Sequence, residues 1–260
     1  MPVTQWLILN VPTWILGVLV LGIVTLISVA GFFAVRPFLP HHTKLRAHHD
    51  VAGPILGVVG VLYAVLLAFV MVTVWQSMDA TDAHVQTEAN YLADIYRDAE
   101  AFAPEFRASV AKVTGEYRQA VVDEEWKTMA GGEMSPKVEV IVNRLWALYT
   151  TYEPKTAKEQ SFFAESVRKL NSFRELRRQR LMDSQAGLHP LLWFVLIAGM
   201  VATVSLTFLF GMEDVKAQVA MIVILALSIA LILFTILLLD FPFTGDISIS
   251  SEPFRQLILS

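Results

Sequence analysis

PILGVVGVLYAVLLAFVMVTVW, Pro54–Trp75, is a run of 22 residues without a Lys, Arg, Asp, Glu or His. Coiled as a helix at about 1.5 Å per residue, it reaches roughly 30 Å, the hydrocarbon thickness of a bilayer. Outward from it lie three more such runs: Trp14–Val35 on the N-terminal side, Leu191–Phe210 and Val219–Leu239 on the C-terminal side. Two pairs of candidate spans thus enclose a polar stretch of 114 residues, Gln76 to His189. The expected architecture is an all-α integral membrane protein: a first transmembrane pair within 1–75, a helical aqueous domain over 76–189, and a second pair with a C-terminal tail over 190–260. An even number of crossings puts both termini and the polar stretch on one side of the membrane.

Composition agrees with a lipid solvent. The chain is 55% hydrophobic and 17% charged, with a mean hydropathy of +0.54, too apolar for a water-soluble domain of this length. Of 20 Lys and Arg, 15 fall between Gln76 and His189, with 18 of the 24 Asp and Glu. That stretch is net −3, which argues against nucleic acid as a partner. The absence of Cys removes disulfides, thiolate metal sites and cysteine nucleophiles. The N-terminus lacks the basic region of a cleaved signal, and its apolar run is too long for one. Flanking Lys and Arg leave the orientation open. Arg36, Lys44, Arg46 and Lys216 stand on one side, and Arg174, Arg177, Arg178, Arg180 and Arg255 on the other.

Inside the polar stretch the apolar period is helical. Phe106, Val110, Val113, Tyr117 and Val121 form one stripe, Val138, Ile141, Leu145, Leu148 and Tyr152 a second, and Phe163, Val167, Leu170 and Phe173 a third. Breaks fall at Pro104, Gly131-Gly132 with Ser135-Pro136, and Glu153-Pro154. Four helices are predicted, over 76–102, 104–129, 136–152 and 155–186, the first continuing the second span. Trp126 and Trp146 read as packing, and Asp123-Glu124-Glu125 as a solvated turn.

The second span carries two stripes. Gly53, Gly57, Gly60, Ala64 and Ala68 are small, the residue type that lets membrane helices approach closely. They suit a contact within one subunit or between copies. Ile55, Val59, Leu62, Leu66 and Phe69 form an apolar stripe that faces lipid or, around an oligomer axis, lines a pore as hydrophobic rings. The runs hold no residue of the kind that pumps and intramembrane proteases keep at membrane depth. Asp240, at the C-terminal end of the last span, opposes the helix dipole and calls for a partner. Arg178 and Arg180, on the same side by crossing number, are the candidates.

Gln76 to Glu100 is net −5 and Arg168 to Asp183 net +4, so mutual pairing is expected. Unpaired Asp79 and Asp82, close to the membrane, would form an ion-attracting vestibule that concentrates cations. His41, His42, His48 and His49 with Asp50 read as a basic interfacial loop before they read as a metal site. No catalytic motif, cofactor site or metal site is predicted.

Several segments resemble a known family. They are Gly57-Val-Val-Gly60 with Leu62-Tyr-Ala-Val-Leu-Leu-Ala-Phe69 and Val74-Trp75, then Glu88-Ala89, Glu116-Tyr117, Glu125-Trp126, Arg177-Arg-Gln-Arg-Leu181, Leu191-Leu-Trp193 and Leu239-Asp-Phe-Pro-Phe-Thr-Gly245. The chain resembles the bestrophin-like bacterial membrane proteins, a family without a settled function and distantly similar to bestrophin channels. The resemblance implies a multi-pass protein of a bacterial inner membrane and a cytoplasmic helical domain. It also implies a homo-oligomer, a pentamer in bestrophins, that conducts inorganic ions past a hydrophobic neck on the second span. Ile55, Val59, Leu62 and Leu66 are aliphatic where the animal proteins have aromatic neck residues. The leading expectation is an oligomeric ion channel with the second span lining the pore, its selectivity open between the cations that an acidic vestibule would favour and the anions that most bestrophins conduct. The rival is a non-conducting, membrane-anchored sensor or scaffold whose helical domain binds a partner. An enzyme is not expected.

Overall fold

The computed structural model describes residues 3–38, 49–185, 187–210 and 214–257. The described residues contain helices and turns and no strand. The helices are α1 (Val3–Asn10), α2 (Thr13–Val35), α3 (His49–Asp98), α4 (Pro104–Ala120), α5 (Trp126–Met129), α6 (Pro136–Thr151), α7 (Ala157–Asp183), α8 (Pro190–Thr207), α9 (Val215–Leu239) and α10 (Glu252–Arg255). A π-helical turn, Val121–Glu125, joins α4 to α5. Four helical stretches are long and apolar enough to cross a membrane: Thr13–Phe38, Gly53–Ala101, Pro190–Thr207 and Val215–Leu239.

Local chemistry sets the helix starts. Pro104, Pro136 and Pro190 occupy first-turn positions, where the missing N–H is no loss. Ser135 caps α6 by accepting from Val138 N, and Thr156 caps α7 by accepting from Glu159 N at 3.1 Å. Nothing interrupts α3 after Pro54, so the second span runs on as one helix of 50 residues. It ends in a 3-10 turn, Ala99–Ala101, before Pro104.

The chain divides into two compact units. The spanning unit comprises Asn10–Gln76 and Gly187–Asp240. It packs by shape. The Phe234 ring lies over Gly17, where a Cβ would stand 3.1 Å from Cε1. Phe32 and Phe208 meet at 5.7 Å between ring centroids. Tyr63 lays its ring on Gly199 and donates its hydroxyl to Leu196 O at 2.8 Å. Other hydroxyls are satisfied within their own helices: Thr25 donates to Leu21 O, Ser28 to Val24 O, Thr203 to Gly199 O and Ser228 to Ile224 O.

The polar unit comprises Met1–Leu9, Ser77–Ala186 and Phe241–Ser260. Its core takes Val85, Leu92 and Ile95 from α3, Val110, Tyr117 and Val121 from α4 and the π turn, Leu145 from α6, and Leu170 and Phe173 from α7. The tail contributes Phe243, Ile249 and Phe254. Backbone carbonyls of the tail are taken up by the bundle: Trp126 Nε1 donates to Ile249 O at 3.0 Å and Arg118 Nη1 to Leu257 O at 2.9 Å. From the other terminus, Gln5 Nε2 donates to Ala130 O at 3.3 Å and to Thr244 Oγ1 at 3.4 Å.

Candidate functional site

The most unusual place in the polar unit is built on three helical stripes that continue into charge. On α7 the buried series Leu170, Phe173 runs on to Arg177 and Arg180. On α3 the buried series Val85, Leu92, Ile95 includes Glu88. On α4 the stripe reaches Tyr117 and Val121, then continues to Glu125 and Met129 in steps of four. Each step of four overshoots a 3.6-residue turn by about 40°. The π turn at Val121–Glu125 absorbs the extra residue, so Glu125 stays on the inner face.

These side chains meet around Arg180, which is fully buried. Its Nε donates to Glu88 Oε2 at 2.7 Å, and its Nη2 to Glu88 Oε1 at 3.1 Å and to Glu125 Oε2 at 2.8 Å. Its Nη1 points at Met129 Sδ, 2.7 Å away. The guanidinium lies 5.1 Å from the centre of the Trp126 ring and 5.9 Å from that of Phe254. Arg177 bridges Glu125 Oε1 and Glu139 Oε2, both at 2.6 Å. The Tyr117 hydroxyl donates to Glu88 Oε1 at 2.5 Å. Two cations therefore face two fully buried carboxylates, with the half-exposed Glu139 as a third.

Electrostatics fix the protonation. Burial works against the charge on Arg180, but Glu88 and Glu125 outweigh it and hold its pKa well above the usual arginine value. Arg177 is raised likewise, burial opposing and Tyr117 and Glu125 prevailing. Burial, reinforced by Glu88, pushes the Tyr117 phenol well above its ordinary value, so it remains a donor. The cluster is a lock of five helices, the π turn and the tail rather than a reactive centre, since its donors and acceptors are spent on one another. Arg177 Nε alone among its nitrogens is without a partner. Among the described residues no three His, Asp or Glu side chains are grouped to hold a metal.

Glu88, Tyr117, Glu125-Trp126 and Arg177-Arg-Gln-Arg-Leu181 are the polar segments on which the resemblance rests, and they converge here. Residues 22–254 match the family described as bestrophin-like domain. The chain belongs to the bestrophin-like family. No curated protein and no solved structure matches it.

Other expected sites of this bestrophin-like chain fall as follows. Of the described α3 side chains in the spanning unit, Tyr63, Leu67, Val70 and Val74 are the buried ones. The stripe Ile55, Val59, Leu62, Leu66 and Phe69 is exposed or half-exposed, with Leu62 at 66% and Phe69 at 70%. A Cβ at Gly53, Gly57 or Gly60 would meet nothing within 4 Å among the described residues. The close approaches are made by Gly17 and Gly199 instead, where bulky rings need the space. Gly60, Ala64 and Ala68 line an apolar groove of about 480 Å³ with Thr203, Ile229 and Ile232. Asp79 is exposed and Asp82, half-buried, accepts from Gln86 Nε2 at 2.7 Å.

Two expectations are overturned. Asp240 pairs with neither Arg178 nor Arg180: it accepts from Leu188 N at 2.7 Å and Trp193 Nε1 at 3.4 Å. Arg178 points outward to Glu175 on its own helix, while Arg180, two residues on and about 200° around, points inward. Glu125 belongs to the interior, not to a solvated turn, although Asp123 beside it is exposed. The acidic and basic segments pair through Glu88 with Arg180, through Asp94 and Asp98 with Lys169 at 3.3 and 3.1 Å, and through His84 with Asp183 at 3.3 Å. His41, His42 and His48 lie outside the described residues, as do the side chains of His49 and Asp50.

Proposed function

We propose that the protein is an oligomeric ion channel in which α3 lines the pore. The observation that carries this reading is the economy of α3's contacts in the spanning unit. One stripe, Tyr63, Leu67, Val70 and Val74, is buried within the chain, and the other described side chains of the run are exposed or half-exposed. The glycine face permits close approach of another helix, and Ile55, Val59, Leu62, Leu66 and Phe69 would stack as hydrophobic rings around an axis. Such rings gate ions by dewetting. Asp79 and Asp82, on the same continuous helix past the apolar run, would give the pore mouth a negative field favouring cations. Family membership supports a pentameric assembly in a bacterial inner membrane, with inorganic ions as its traffic.

Flux through liposomes holding the purified protein tests the reading. Na⁺ or K⁺ flux that exceeds Cl⁻ flux is expected, and Asp79→Asn with Asp82→Asn should move the reversal potential towards zero in a salt gradient. A monomeric particle with no flux of any of the three ions would favour the sensor or scaffold, in which the α3 faces meet lipid alone.

A further inference from the structure

The helix ahead of the first span makes contacts that a membrane-spanning reading does not require. α1, VTQWLILN, has no charged side chain and is separated from α2 by two residues, Val11 and Pro12. Gln5 and Ile8, three apart, form its buried face in the polar unit. Gln5 grips Ala130 O and Thr244 Oγ1, and Thr244 Oγ1 itself donates to Ala130 O at 3.0 Å. Its other face presents Trp6, 53% exposed, and Leu9, 44% exposed. An uncharged helix exposing Trp and Leu, covalently tied to the first residue of a span, is matched to the headgroup boundary of a bilayer rather than to water.

Three other tryptophans make the same boundary visible. In a chain that crosses four times, the start of α2, the end of the second apolar run, the start of α8 and the end of α9 share one membrane face. Trp14, Trp75 and Trp193 stand at the first three, and Trp193 donates to Asp240 at the fourth. We infer that α1 is an interfacial anchor: Trp6 and Leu9 rest in the lipid headgroup region while Gln5 and Ile8 hold the polar unit.

The cysteine-free chain makes the test direct. Nitroxide labels at Trp6→Cys and, separately, Leu9→Cys are compared in phosphatidylcholine vesicles with Leu26→Cys, exposed in the first span, and Val140→Cys, exposed in the polar unit. Collision with a water-soluble nickel chelate should be several-fold lower at both test sites than at Val140→Cys. Collision with oxygen should lie between the two references. Nickel collision equal to that at Val140→Cys would overturn the anchor. Low collision with both reagents would overturn it too, because the face would then be covered by protein such as a second copy. Leu9→Cys leaves Trp6 in place and answers the question if Trp6→Cys does not fold.

Discussion

In the polar unit a guanidinium without solvent exposure, Arg180, is held by two buried carboxylates, whereas in the spanning unit a phenol ring is laid on the bare backbone of Gly199. The contrast follows from what each unit can gain by folding. In water, burying apolar surface drives the bundle together, and the cost of enclosing charges can be carried by that gain. In hydrocarbon, apolar surface gains nothing by leaving lipid, so association rests on fit and on a few hydroxyls that answer to their own helix. Buried ion networks rarely maximise stability, and their best-attested use is to specify register. Here the register concerns α3, because Glu88 lies on the same unbroken helix as the proposed pore stripe.

Arg180→Met is the hardest test of the comparison. It strips the cation from two fully buried carboxylates and should cost about 3–5 kcal/mol in unfolding of the purified protein, read by thermal or denaturant melts in detergent. Replacing Glu88, Glu125 and Arg177 with Leu and Tyr117 with Phe in the same chain should recover most of that loss, since it removes every buried partner together and an apolar cluster of similar volume is often neutral. A single variant with unchanged stability would show that charge burial does not distinguish the two units.

Tyr117→Phe comes next, at about 1.5–3 kcal/mol, because Glu88 loses a hydrogen bond made to a charged group. It also carries a pH signature. The fold raises the Tyr117 pKa, so its contribution is complete below about pH 10, the unfolded value, and falls away as pH climbs towards the folded one. Alkaline melts should therefore slope downward in the parent and less so in Tyr117→Phe. Tyr149, pushed up to about 12 by burial, keeps its own share of the slope in both.

How far the sequence reveals these two interiors differs in the same way. Span length and apolarity act residue by residue, so the four runs read directly, and stripes such as Phe106–Val121 read from a single period. A charged residue on a stripe reads as the solvated face, which hides Arg177, Arg180 and Glu88. The available signal is their spacing: Glu88 stands three residues beyond Val85, Arg177 four beyond Phe173, and Arg180 three beyond Arg177. Glu125 is harder to find, because a π turn shifts the phase by one residue just before it. Charge complementarity points Asp240 towards the arginines, while its partners are a backbone N–H and an indole, which no count of charges identifies. The small-residue stripe shows that close packing is possible there, but not which helix would use it.

Gly199→Ala probes the other interior. A Cβ there would stand 2.4 Å from Tyr63 Cε2, so the ring must move, at about 1–3 kcal/mol for an overpacked site. Gly57→Ala, with nothing within 4 Å, should leave the melting point of the chain unchanged. Loss of the assembled particle by mass in Gly57→Leu, with the fold intact, would show that the stripe packs between copies. An unaltered particle would assign that face to lipid.

Arg178→Ala should have the smallest effect, and for that reason it isolates burial from charge. Arg178 and Arg180 share a helix, a formal charge and a carboxylate partner. One pairs in water with Glu175 three residues away, and the other pairs in the interior with Glu88 on another helix. Solvent screens the exposed pair, and side-chain ordering offsets what attraction is left. No change in melting midpoint is expected, and none on adding salt. A loss comparable with that at Arg180 would mean that the outer face of α7 is covered in the assembled protein. The inside-versus-outside assignment of the two arginines, read from a single chain, would then be incomplete.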